Sequence, residues 1–228
     1  MFVQLESRRK ARPPWATFLL VAACVTMFLW IVAEPVSERG RLLNIWGTVP
    51  TTLLDNQVPW QTQLVELRFA RLVTALFIHA DWIHLSTNML FLIIFGVPTE
   101  RALGAGRFLL LVILGGALAN LIGALTLAAV NSPIIGSSGA VSGVVGAYLA
   151  LFPRAHLGLV LPLGFFLEFV RVPASLLIGF WAVLQILFTY VGPAFGAVAW
   201  WTHVSGFLIG ILLALAWRPG LARRARRS

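Results

Sequence analysis

The stretch FLLLVILGGALANLIGALTLAAV, Phe108 to Val130, carries no charged side chain from one end to the other. An apolar run longer than about 18 residues reads as a transmembrane helix, because it is long enough to cross the hydrocarbon core. The rest of the chain agrees. Of its 228 residues 59% are hydrophobic and 11% are charged, with a mean hydropathy of +0.90, whereas a soluble domain carries about a quarter charged residues. The net charge of +9, from 17 basic and 8 acidic residues, would suit a nucleic-acid partner only if the basic groups shared a wetted face beside a modest core. Apolar spans separate them here, which excludes that class. The single cysteine, Cys24, leaves no intramolecular disulfide and no thiolate metal cluster.

Outward from that stretch, six apolar segments are legible: Trp15 to Ala33, Ile83 to Pro98, Phe108 to Val130, Ser138 to Phe152, Ser175 to Val191 and Trp201 to Trp217. The fourth is short and glycine-rich. The first follows Arg8, Arg9, Lys10 and Arg12, as a signal peptide would, but its apolar run exceeds a signal core of about 7–15 residues and no small-x-small cleavage site follows. It reads as a retained anchor.

Basic loops stay cytoplasmic. With the N-terminus inside, the inner segments hold those four residues, then Arg101, Arg107, Arg154 and Arg171, then Arg218, Arg223, Arg224, Arg226 and Arg227. Only Arg39, Arg41, Arg68 and Arg71 fall outside, all in a long first loop that also holds Glu34, Glu38, Asp55 and Glu66. The expectation is an all-α polytopic membrane protein in contact with the lipid bilayer, with both termini cytoplasmic. Residues 1–14 form a basic N-terminus, 15–217 a single six-helix transmembrane domain with its outer loop at 34–76, and 218–228 an Arg-rich tail. Leu64 to Phe77 reads as partly interfacial, and Leu161 to Pro173 as an inner loop touching the membrane surface.

Within spans, strongly polar side chains are costly and point to function. Those present are His84 and Asn88 in the second, Ser138 and Ser142 in the fourth, and His203 and Ser205 in the sixth. Ser138 lies in Gly136-Ser137-Ser138-Gly139 at a helix start, where backbone N–H groups have no partner in the helix and suit an oxyanion. Alone, such a serine is more often a small packing residue. His203 lies at the matching end of the sixth span, with Gly206 and Gly210 on its face. Gly139, Gly143 and Gly146 form a like seam on the fourth, and small-residue faces let helix backbones approach closely. That approach is what a serine and a histidine on separate helices need to reach hydrogen-bond distance, the geometry of nucleophile and base. His84 and Asn88, four apart on one face, are a donor pair suited to a developing oxyanion. His79 is as readily a loop residue. No Asp or Glu falls in a span where it would orient His203, so the pattern is a Ser–His dyad. Metal binding is disfavoured, since no His-Glu-x-x-His pattern is present. No cofactor is called for.

These motifs resemble those of the rhomboid family of intramembrane serine proteases, over roughly Trp60 to Trp217. Gly136-Ser137-Ser138-Gly139 resembles the family's Gly-x-Ser-Gly, and His203, Gly206 and Gly210 its His-x-x-Gly-x-x-x-Gly. His79, His84 and Asn88 fit His-x-x-x-x-His-x-x-x-Asn, Arg71 resembles the arginine of the first-loop Trp-Arg motif, and Glu100 fits an acidic residue placed after the second span. The resemblance implies a six-helix bundle in which Ser138 is the nucleophile and His203 the general base and acid. His84, Asn88 and the Ser138 N–H would form the oxyanion hole. Substrates would be transmembrane proteins cut near helix-breaking sites, in a cavity open to the outer face, with residues Gly192 to Ala199 as a mobile cap and a bacterial plasma membrane as the location. Three departures stand out: Ala70 where tryptophan is usual, Ser205 in place of a glycine near His203, and Ser142 in place of an aromatic that stacks on the base. The last leaves His203 less rigid or oriented by a hydroxyl. A catalytically inactive rhomboid-like protein that binds or extracts membrane proteins is the alternative. A transporter fits poorly, for no internal repeat and no ionisable group in the inner halves of the spans is apparent.

Overall fold

The computed structural model describes residues 13–53, 55, 57–163, 166–191 and 199–226. Helix α1 spans Trp15–Ala33. The first loop folds into short helices α2 (Val36–Trp46), α3 (Pro50–Leu53), α4 (Trp60–Val65) and α5 (Arg71–Thr74), the last set between single 3-10 turns at Arg68–Ala70 and Ala75–Phe77. Helix α6 (Trp82–Leu103) follows, then α7 (Ala105–Leu110), which continues through a π turn at Leu111–Gly115 into α8 (Gly116–Thr126). After α9 (Ser138–Leu151) come strands β1 (His156–Leu163) and β2 (Phe166–Pro173), then α10 (Ala174–Val191) and α11 (Trp200–Arg226).

Among the described residues, five stretches are long and apolar enough to cross a membrane: α1, α6, the continuous α7–α8 segment, α10 and the first part of α11. The remaining apolar helix, α9, has 14 residues, about 21 Å at 1.5 Å per residue, against a hydrocarbon core of about 30 Å. Its position accounts for its composition. Gly139 through Tyr148 are all buried, because α6, α8 and α11 pack around it. A helix enclosed by protein gains from close approach rather than from lipid-facing bulk, so glycine, alanine and serine serve where leucine would not.

The closest packing is between α9 and α11. A Cβ on Gly206 would run into the carbonyl oxygen of Gly139, one on Gly210 into that of Gly143, and one on Gly146 into that of Phe207. Thr202, at the head of α11, fills the space left by Gly123 of α8 and Gly139 of α9. The first loop is tied down as well. Thr48 pairs its backbone with Ile134 before α9, and its hydroxyl donates to the Arg71 carbonyl at 2.9 Å. Arg68 donates to Glu66 at 2.6 Å and to the Thr52 carbonyl at 2.8 Å.

Two expectations need correction. The chain is mostly helical but not all-α: the segment expected as an inner loop, Leu161 to Pro173, belongs to an antiparallel hairpin whose register runs from His156 opposite Pro173 to Leu163 opposite Phe166. Pro162 and Pro173 suggested a loop, yet in a two-stranded sheet each strand has a free edge where a missing N–H goes unneeded. The base of the hairpin is closed by Ala174 N donating to Ala155 O at 2.8 Å. Second, the C-terminal half of the second span does hold an ionisable group. Helix α6 continues through Pro98 and includes Glu100, only 3% exposed. Its carboxylate accepts from Ala16 N at 3.0 Å, Thr17 N at 2.7 Å and Thr17 Oγ1 at 2.7 Å. The charge sits where the unpaired N–H groups and positive dipole end of α1 favour an anion, so it is a helix cap. Of the expected cap loop, Gly192 to Ala199, residues 192–198 lie outside the described residues.

Candidate functional site

The turn that opens α9 sets the site. Gly136 takes φ +103°, a region a side chain disfavours, and its N–H donates to Ala75 O at 2.9 Å. A Cβ there would strike the ring of His84, so the glycine both makes the turn and lets that imidazole lie against it. Ser137 is the N-cap and accepts at its carbonyl from Val141 N at 2.8 Å. Ser138 is thus the first residue of the helix, where N–H groups lack intrahelical acceptors.

Ser138 Oγ lies 2.9 Å from His203 Nε2. The glycine seam produces this distance, since it brings the heads of α9 and α11 together in parallel. His203 Nδ1 lies 2.8 Å from Gln185 Oε1 on α10, and its ring meets the edge of Trp200 with centroids 5.7 Å apart at 88°. Gln185 was not singled out in the sequence. An amide in the middle of an otherwise apolar span is the signal that marks it.

From α6, His84 and Asn88 face the same cavity, about 520 Å³, which Ser138, His203, Pro133 and Trp200 also line. Asp81 caps α6 by accepting from His84 N at 2.8 Å, which fixes the start of that face. Asn88 Nδ2 donates to His84 O at 3.0 Å. A side-chain amide has two N–H donors, and the second is left for an occupant of the cavity. His79 stands apart from this group. It is fully buried, with Nε2 3.3 Å from Ser137 Oγ. Burial, with the neighbouring His84 second, pushes its imidazole down to about 4. It is therefore neutral near pH 7 and supports the turn before Ser138 as an acceptor.

The structure thus gathers Ser138, His203, His84 and Asn88, with Gly136, Gly139, Gly143, Gly206 and Gly210 as the close contacts that allow it. Arg71 and Glu100 lie elsewhere. Arg71 offers its carbonyl to Thr48, while the arginine side chains that bond to the loop's backbone carbonyls are those of Arg39 and Arg68. Neither hydroxyl near His203 orients it: Ser142 donates to Ser138 O at 2.7 Å and Ser205 to Trp201 O at 2.7 Å. The smaller Ser142 leaves a second space of about 140 Å³ beside His203, bounded also by Phe91, Trp181 and Gln185. Among the described residues no group of three or more His, Cys, Asp or Glu could hold a metal ion.

Comparison with known proteins bears on the whole arrangement. The family model for the Rhomboid domain matches residues 66–219. The chain is 33% identical over 138 residues to Rhomboid-related protein 3 of Homo sapiens, a match covering 60% of this chain and 32% of that protein. It is 30% identical over 143 residues to Rhomboid protease GluP of Bacillus subtilis, covering 62% and 26%. It is 34% identical over 120 residues to Inactive rhomboid protein 1 of Drosophila melanogaster, covering 53% and 8%. The matched region is about a third or less of each relative's length. With a family model that spans most of the chain, over apolar helices of membrane-crossing length, this integral membrane protein belongs to the rhomboid family.

Proposed function

We propose that the chain is an intramembrane serine endopeptidase that cleaves transmembrane segments of membrane proteins through a Ser138–His203 dyad. The observation that carries this reading is the 2.9 Å contact between Ser138 Oγ and His203 Nε2 at the wall of a 520 Å³ cavity. Ser138 Oγ attacks the scissile carbonyl while His203 Nε2 takes its proton. The oxyanion that forms is met by the Ser138 backbone N–H, the second N–H of Asn88 and the imidazole of His84, donors held in place before the reaction. His203 then gives its proton to the leaving amine, and a water activated by the same imidazole releases the acyl group. A substrate helix has its carbonyls bonded internally, so the cut site must unwind locally to present one, which favours helix-breaking sequences.

The depth of α9 supports the access of water. If its inner end lies at the membrane boundary, Ser138 sits about 9 Å below the other surface, given the hydrocarbon thickness. The basic residues support an outward opening, since their uneven distribution favours cytoplasmic termini. The bacterial relative supports a bacterial plasma membrane. Similarity to an inactive relative favours a second reading, a non-cleaving protein that binds or extracts membrane proteins. Retention of both Ser138 and His203 weighs against it.

The test is labelling of detergent-solubilised protein by a serine-reactive fluorophosphonate. Labelling is expected at Ser138 and absent in Ser138→Ala and His203→Ala. Wild-type protein that stays unlabelled would favour the inactive reading, and label that survives Ser138→Ala would remove the nucleophile assignment.

A further inference from the structure

We infer that Gln185 is a positioning residue that fixes the tautomer and ring orientation of His203, converting the expected dyad into a Ser138–His203–Gln185 relay with a neutral third member. This rests on the reading of Ser138 and His203 as nucleophile and base.

A glutamine in a membrane span is costly unless its amide finds a partner. Gln185 is 9% exposed, on a helix whose other buried residues are Ala174 and Ile178. Its Oε1 lies 2.8 Å from His203 Nδ1. A carbonyl oxygen only accepts, so Nδ1 carries the proton. Nε2 then presents its lone pair to Ser138 Oγ, 2.9 Å away, which is the tautomer a general base requires. With the opposite tautomer Nε2–H would point at the hydroxyl, and proton abstraction would fail. The hydroxyls of Ser142 and Ser205 are committed to backbone carbonyls, and Trp200 confines the ring only by its edge. Among the described side chains, Gln185 is the one bonded to Nδ1. A neutral acceptor orients the imidazole without the charge that a carboxylate would bring. Because Gln185 sits on α10 and His203 on α11, the base is correctly held only while the two helices are docked at this point.

The experiment uses the full chain in detergent, with two readouts on wild type, Gln185→Leu and Gln185→Glu. The first is the 15N spectrum of histidine-labelled protein, with the His203 signal assigned by its loss in His203→Ala. Wild type is expected to show protonated Nδ1 and unprotonated Nε2, and Gln185→Leu a mixture of both tautomers. The second is the rate of fluorophosphonate labelling. Gln185→Leu is expected to slow the maximal rate about tenfold, the size of one lost hydrogen bond, with probe affinity unchanged, and Gln185→Glu to restore most of it. A wild-type His203 protonated at Nε2, or a tautomer indifferent to Gln185→Leu, overturns the inference. So does an equal loss in both variants that tracks a lower melting temperature, which marks a packing role only. A tautomer shift in protein that never labels upholds the positioning and overturns the protease reading alone.

Discussion

The carbonyl oxygen of Gly143 occupies the space in which a side chain on Gly210 would begin. One turn toward the site, the Gly139 carbonyl holds the same relation to Gly206. These contacts set the separation of α9 and α11, and through it the distance from Ser138 to His203. Backbone cannot retreat as a flexible side chain can, so a methyl group there must push the helices apart. Gly210→Ala is expected to destabilise the fold by about 1–3 kcal/mol, the range for overpacking a close contact, and to slow labelling of Ser138 in the folded fraction. Thermal denaturation in detergent, run beside the labelling rate, checks both. An unchanged melting temperature with a labelling rate within twofold of wild type would refute this account of the seam.

Asn88 keeps one amide N–H on its own helix, bonded to His84 O, and under the proposed mechanism the other meets the oxyanion. Asn88→Ala is expected to lower turnover by about 10²–10³, as loss of one oxyanion donor does, while melting and Ser138–His203 geometry stay as they were. Turnover of a transmembrane substrate in proteoliposomes is the measurement. A loss under threefold would place Asn88 outside the oxyanion hole.

Glu100 holds the head of α1 from the far side of the bundle by three hydrogen bonds. Glu100→Ala strips these from buried donors, each of which costs about 1–3 kcal/mol when left unsatisfied. The expected result is a marked fall in melting temperature, with near-normal turnover per folded molecule. A variant as stable as wild type would mean that water or another acceptor replaces the carboxylate.

How far these features could be read in advance differs by element. The span from Trp15 to Ala33 was legible to the residue, because a lipid-facing helix must be largely apolar, and Pro14 and Glu34 bound it. Helix α6 ran past its expected end at Pro98, since tertiary contacts at Glu100 outweighed the local helix-breaking tendency of proline. The hairpin is hidden in the sequence because its strands carry prolines, which stop being disruptive only when both strands are edges. Ser138, His203, His84 and Asn88 were legible by exclusion, as polar groups with no cheap reason to lie in a span. Gln185 meets that same criterion, but its neutral amide lacks the charge that marks the usual acidic partner of a base.

The amino-acid sequence by itself determined the medium and the cast. Uncharged runs demanded a membrane, the uneven distribution of Lys and Arg indicated an orientation, and an apolar background exposed the few side chains able to do chemistry. These properties are local, set by how each residue partitions between water and hydrocarbon. What only the tertiary structure decided was which of those residues meet. Ser138 and His203 are 65 positions apart, Gln185 and His203 18, and Glu100 and Thr17 83. Their distances depend on how closely whole helices approach, which is governed by backbone contacts at Gly139, Gly143, Gly206 and Gly210. A glycine pattern announces that helices can come close. Only the packed bundle shows which pair does, and in which register.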